Sequence, residues 1–200
     1  MNDELTWVLQ AQQGNQDAFT YLVETYQKPV YNLCYRMLGE PESAEDAAQE
    51  TFLRVYQHLH RYDRKRPFAT WMLSIAAHYC IDRLRKRKFA IFSIDQEDDE
   101  GPAFELPDPA APDPEAESVK REARDRLHGL LGSLDGTDRA AVIMRYWHDL
   151  SEAEIAEALH LTVSAVKSRL HRARRELAGL WQEEKPTPRT QRRPHESPAF

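Results

Sequence analysis

Residues 151–177 read SEAEIAEALHLTVSAVKSRLHRARREL, and two short helix signatures meet there across a turn. Ser151 with Glu154 three places on is a capping-box pattern, in which hydroxyl and carboxylate each satisfy an orphan backbone donor at a helix start. Ile155, Ala158 and Leu159 give that helix an apolar side, while Glu152, Glu154 and Glu157 keep the rest wet. His160-Leu161-Thr162 breaks the run, and Thr162 can cap a second helix whose buried stripe is Val163, Val166, Leu170, Ala173 and Leu177. Lys167, Arg169, Arg172, Arg174 and Arg175 fall on its other faces. This is the pattern of a helix-turn-helix, whose second helix enters the DNA major groove by its N-terminal part. Ser164, Ala165, Lys167, Ser168, Arg169, His171 and Arg172 are therefore the candidates for DNA contact.

The same residues also fit an ordinary packed helix pair whose arginines form a solvated face and complement the helix dipole. Charge asymmetry favours DNA. The exposed positions from Lys167 to Arg175 carry no acid within the run, whereas a merely soluble helix mixes signs.

Working outward, 200 residues with 41% apolar composition suffice for one mid-sized domain or two small ones. The net charge of −6 speaks against nucleic acid until it is divided along the chain. Residues 1–95 carry 12 basic and 12 acidic side chains, 96–117 carry 0 and 9, 118–185 carry 12 and 11, and the remainder 3 and 1. The acidity is concentrated in the middle. Residues 93–117, SIDQEDDEGPAFELPDPAAPDPEAE, hold five prolines and no basic residue, too little apolar matter to offset ordering entropy, so they read as a flexible acidic linker. That divides the chain into two small helical domains of an all-α fold, 1–92 and 118–182, with a polar, proline-rich tail over 183–200.

In the first domain, residues 3–12 read as an opening helix with Leu5, Val8 and Leu9 inward. Asp17 caps the next, and apolar spacing through residue 38 predicts two helices meeting near Pro29. Ser43 opens SAEDAAQETFLRVYQHLHRY, whose face of Glu42, Glu45, Asp46, Gln49, Glu50 and Arg54 is acidic near its start. Acids there either meet the helix dipole or await a partner. A basic loop, Arg61 to Pro67, leads into FATWMLSIAAHYCIDRLRKRK, where Trp71, Ser74, His78, Asp82 and Arg85 share one side. Rings interleaved with cations are what a single-stranded nucleic acid needs, for base stacking and for its backbone. In the second domain Ser118 and Thr137 cap two helices that support the helix-turn-helix.

Some chemistries are absent from the pattern. There is no HExxH, no GxxxxGK[ST], no Gly-rich phosphate loop and no Cys/His cluster, so no catalytic residue, cofactor or metal site is expected. Cys34 and Cys80 lie in apolar helical patterns and read as buried free thiols. No apolar run approaches the roughly 18 residues of a membrane span, and the N-terminus lacks a basic-then-apolar export signal, so a cytoplasmic protein is expected.

Taken together, DAFTYLVETYQKPVYNLCYRML, EDAAQETFLRVY, FATWMLSIAAHYCIDRLRKRK and LSEAEIAEALHLTVSAVKSRLHRARREL, in this order around a linker, resemble the extracytoplasmic-function group of bacterial RNA polymerase sigma factors. The resemblance covers nearly everything from Asp17 to Leu177 except the linker. It implies a first domain that binds core RNA polymerase and the promoter's minus-ten element, and a second that reads the minus-thirty-five element as duplex. By resemblance, Asp46, Gln49, Glu50, Phe52, Leu53 and Arg54 fall on the polymerase-binding helix. Tyr62, Arg64, Lys65, Trp71, Ser74, His78, Asp82, Arg83 and Arg85 fall at the strand-separated minus-ten DNA. Ser164, Ala165, Lys167, Ser168, Arg169, His171 and Arg172 fall in the minus-thirty-five groove. The chain departs from the family pattern at His160 and Ser164, where glycine is frequent, and at His171, where an aromatic is common in some members. An anti-sigma partner is implied as well. The alternative on the residues alone is a stand-alone helix-turn-helix regulator of duplex operators, which leaves the Glu50 and Trp71 helices without a task.

Overall fold

A computed structural model of the chain describes residues 3–93 and 114–183, and among them there is no strand. The helices are α1 (Asp3–Gln12), α2 (Gln16–Leu38), α3 (Pro41–His58), α4 (Phe68–Ser93), α5 (Pro114–Ser133), α6 (Gly136–Trp147), α7 (Glu152–Ala158) and α8 (Val163–Glu183), with a 3-10 turn at Leu59–Arg61 after α3. Residues 94–113, which make up most of the expected linker, and the tail from 184 lie outside the described residues, so their expected flexibility has no structural counterpart here.

Several helix starts differ from the sequence expectation, each for a local reason. The cap of α2 is Asn15, whose Oδ1 accepts from the Ala18 amide at 3.0 Å, rather than Asp17. α3 begins at Pro41, because a proline at the first helical position forfeits only a donor that has no partner anyway. Ser43 sits inside that first turn and donates to Glu40. α5 begins at Pro114, four residues before Ser118, and α6 is entered through Asp135 rather than Thr137. The expected break at Pro29 is absent, and α2 runs on as one helix. Its buried side, Leu22 before the proline and Val30, Leu33, Cys34 and Met37 after it, is clamped by α3 and α4, so packing outweighs one lost backbone bond. Gly39 ends α2 at φ 85°, its amide donating to Tyr35 O at 2.8 Å, a left-handed cap that glycine adopts without strain.

The first module packs α1, α3 and α4 around α2. Ala44, Ala47 and Ala48 of α3 and Ala76 and Ala77 of α4 are buried, and side chains this small let helix axes approach closely. Cys34 and Cys80 are both fully buried, and Cys80 is held protonated by its hydrogen bond to Cys34 and by burial. The second module packs α5, α6 and α7 around α8, with Leu131, Ile143, Met144, Ile155 and Val166 at its centre. Leu5 at 47%, Tyr56 at 50% and Val163 at 41% exposure face out although helical spacing predicts them inward, each near a helix end where the stripe runs past the surface it packs against.

The two modules rest on each other. α6 contacts α2 and α4, and α7 contacts α4, so the buried residues of both modules form one continuous cluster. Arg139 of α6 donates to Met37 O at the end of α2 (2.6 Å) and to Gly132 O (2.8 Å), and the Arg36 guanidinium lies 5.0 Å over the Trp147 ring. His148 sits beside Arg36, and burial first, then that guanidinium, lower its pKa to about 4. A base whose folded pKa lies below its unfolded value stabilises fully above the unfolded value near 6.5 and loses that contribution as pH falls toward about 4. Global stability is accordingly expected to drop by about 2 kcal/mol between pH 7.5 and pH 5 from this residue. Denaturant titrations of the native protein and of His148→Gln, which cannot charge, check it: the variant should lose that slope.

Candidate nucleic-acid and partner interfaces

The helix-turn-helix forms as its sequence dictates. Ser151 Oγ accepts from the Glu154 amide at 3.2 Å and closes the box from the other side by donating to Glu154 Oε2 at 2.6 Å; that bond first, then the Ser151 amide donating to the same oxygen at 2.8 Å, holds the Glu154 carboxyl below the usual carboxylate range. Thr162 Oγ1 accepts from the Ala165 amide at 3.1 Å and starts α8. Between them His160 takes φ 54°, a left-handed conformation that a side chain adopts at some cost and glycine adopts without it.

On α8, Ser164, Lys167, Ser168, His171 and Arg172 are exposed, Ala165 and Arg169 are half-buried, and a concavity runs along Ala165, Lys167, Ser168, Arg169, His171 and Arg172. The candidates thus share one surface. The expectation that this basic run has no acids to pair it fails in three dimensions, because the acids come from other helices. Lys167 Nζ lies 3.7 Å from Glu152 of α7. Arg169 Nη1 pairs with Asp138 of α6 and lies 3.6 Å from Asp135, and Arg172 Nη2 lies 3.6 Å from Asp138 Oδ2.

In the first module the Tyr62 ring is turned inward. It is only 7% exposed, its hydroxyl donates to Arg66 O, and its ring packs against Phe68 (5.3 Å) and Trp71 (4.9 Å). Tyr62, expected by resemblance at the minus-ten DNA, thereby props the loop that carries Arg64 and Lys65, both exposed. Trp71, Ser74 and His78 are brought together along one wall of a groove of about 330 Å³. Ser74 Oγ donates to Trp71 O at 2.7 Å, and His78 Nδ1 lies 2.8 Å from Ser74 O, so both polar side chains are oriented by their own helix. Asp82, Arg83 and Arg85 lie apart from this groove. Asp82 pairs with Arg85 at 3.3 Å, while Arg83 turns to α3 and approaches Asp46 at 3.7 Å and Ser43 Oγ at 3.4 Å.

The opposite wall of that groove belongs to the second module. Glu157, Ala158 and His160 line it, Arg66 Nε pairs with Glu157 at 2.6 Å, and the His78 and His160 rings sit 5.1 Å apart. Sequence reasoning assigned Glu157 only to a wet face, and no local signal could have found this pairing, since 91 positions separate it from Arg66.

On α3, Asp46, Gln49, Glu50, Leu53 and Arg54 recur at three and four and share the outward face. Glu50 and Arg54 are paired at 2.7 Å, and the Arg54 guanidinium lies 4.9 Å over the Tyr79 ring. Leu53 is 51% exposed. Phe52 instead packs half-buried against the core, so its contribution to this face is to anchor the helix. Helical spacing predicts Tyr56 inward beside Phe52 and Val55, but it is 50% exposed, with its ring edge-on to Phe19 at 5.0 Å.

Among the described residues no three His, Cys, Asp or Glu side chains gather as a metal site, and no helix is long and apolar enough to cross a membrane. An all-helical chain with a helix-turn-helix in one module and an aromatic groove and exposed acidic helix in the other defines a multi-surface DNA-binding protein. Comparisons with known proteins make that class specific. Residues 22–90 match the Sigma-70 region 2 family and residues 124–177 the Sigma-70, region 4 family. The chain is 36% identical over 173 residues to the ECF RNA polymerase sigma factor SigW of Bacillus subtilis, covering 85% of this chain and 92% of SigW. It is 32% identical over 177 residues to the RNA polymerase sigma factor CnrH of Cupriavidus metallidurans, covering 86% and 90%. The solved structure of CnrH in complex with the cytosolic domain of CnrY shares the fold, with a TM-score of 0.68 at 24% identity over 90% of this chain and 97% of that one. The chain belongs to the extracytoplasmic-function group of the sigma-70 family.

Proposed function

We propose that the chain is a dissociable promoter-specificity subunit that performs no covalent chemistry and works in the cytoplasm. It binds core RNA polymerase by the outward face of α3, holds a separated minus-ten strand along the Trp71 groove, and lays α8 in the major groove of the minus-thirty-five element. Phosphate contacts from Arg64 and Lys65 position the strand, Trp71 offers a stacking ring, and arginines on α8 read base edges. Polymerase supplies catalysis. The observation that carries this reading is the presence on one chain of two surfaces suited to different states of DNA, a basic helix for intact duplex and an aromatic groove for an opened strand. Two weak sites on one scaffold gain effective concentration without new contacts, which suits a chain of net charge −6. Family membership makes an anti-sigma protein that covers these surfaces the expected regulatory partner.

The experiment is transcription in vitro with purified core polymerase on a library of genomic fragments. Start sites that appear only when the protein is added are the expected result. Tight, sequence-specific duplex binding by the isolated protein, unaffected by core polymerase and accompanied by no new start site, would favour the stand-alone regulator.

A further inference from the structure

The acids that meet the recognition helix are arranged as a brace. Asp138 stands in the first turn of α6, and its side chain is only 14% exposed. Its two oxygens are divided between two arginines one turn apart on α8: Oδ1 takes Arg169 Nη1, and Oδ2 faces Arg172 Nη2 at 3.6 Å. The arginines differ in kind. The Arg169 side chain is 28% exposed and meets a second acid, Asp135, at 3.6 Å, whereas the Arg172 side chain is 64% exposed and has Asp138 as its nearest charged partner among the described residues.

The geometry points to Asp138 as a positioning residue for base recognition by Arg172, with Arg169 as the counter-charge that fixes the carboxylate. A long, exposed arginine loses rotamer freedom when it docks, and holding one edge of its guanidinium beforehand removes part of that loss. One Nη faces Asp138, which leaves the remaining donors of the planar fork for the O6 and N7 acceptors of a guanine. Placed this near to phosphates, an acid weakens binding to DNA of any sequence, so the arrangement trades general affinity for discrimination. A first-turn acid that only complements the helix dipole would have no reason to span two arginines of another helix.

This inference rests on the placement of α8 in the upstream duplex, and the test separates the two. Full-length protein with core polymerase initiates on a promoter library randomised through the minus-thirty-five element. Asp138→Asn is expected to reduce the preference for guanine at one position by roughly tenfold while transcription from promoters lacking that guanine holds or rises. Arg172→Ala should erase preference at the same position, the double variant should lose nothing further there, and Asp138→Glu should restore part of the preference. Should Asp138→Asn destabilise the fold in a thermal melt, Asp138→Glu carries the comparison with Arg172→Ala, with a smaller loss at the same position. A uniform loss across all promoters, or a changed preference at a position that Arg172→Ala leaves alone, overturns the inference. If Arg172→Ala and Arg169→Ala leave every upstream preference intact, the placement of α8 fails first, and the inference with it.

Discussion

Leu53→Asp is expected to lower the affinity for core RNA polymerase by about a hundredfold and to leave the thermal unfolding midpoint nearly unchanged. The asymmetry follows from where the side chain sits. Leu53 is 51% exposed in the isolated chain, so little of the fold rests on it, and surface substitutions of this kind change stability by about half a kcal/mol or less. On the proposed polymerase face, by contrast, it is an apolar residue flanked by the paired Glu50 and Arg54, the arrangement of an interface centre, where truncation or an unpaired charge costs about 2 kcal/mol or more. Fluorescence anisotropy with labelled protein and purified core enzyme measures the affinity, and a circular dichroism melt measures stability. Unchanged affinity would move the contact off α3.

The second large effect is at Trp71. Alanine there is expected to weaken capture of a minus-ten single strand by the holoenzyme by about ten- to a hundredfold, since base–aromatic stacking contributes about 1–3 kcal/mol per base. Trp71 also packs at 4.9 Å from Tyr62 and 5.8 Å from Phe68, so the alanine variant loses some stability as well. Trp71→Phe separates the contributions: it keeps a ring and most of the packing, and should keep most of the strand affinity. Equilibrium binding of a fluorescent oligonucleotide to holoenzymes carrying each variant gives the answer. If all three bind equally, the groove does not hold the strand.

The local features of this molecule were legible in its sequence because they are determined locally. The capping box at Ser151 and the Thr162 cap each depend on residues a few places apart and form as read, and the stripe on α8 holds at Val166, Leu170 and Ala173 but not at Val163. Helix starts were less legible, because Asn15 takes the cap that Asp17 could also make, Pro41 starts α3 ahead of Ser43, and α6 begins at Gly136 with no side-chain cap bond. Pro29 was misread because a local rule met a helix held from both sides. Least legible was anything set by pairing across long separations. Tyr62 reads as an exposed loop aromatic until Phe68 and Trp71 close over it, and Arg169 reads as unpaired until α6 brings Asp138 to it. Periodicity states that a residue has an inward or outward face but not what stands opposite.

The contact between α7 and the Trp71 groove has a thermodynamic consequence for the whole molecule. A DNA strand that occupies the groove must displace Glu157 and His160, and it must break the 2.6 Å ion pair at Arg66, which itself lies at the surface and contributes little. Separating the modules also surrenders the Arg139 bond to Met37 O, a hydrogen bond of a kind that contributes about 1.5–3 kcal/mol. Whichever ligand first holds the modules apart supplies that work, and the next one binds without it. Any other ligand that binds the separated form better than the closed one would then favour capture of the strand, and the strand would raise that ligand's affinity by the same factor.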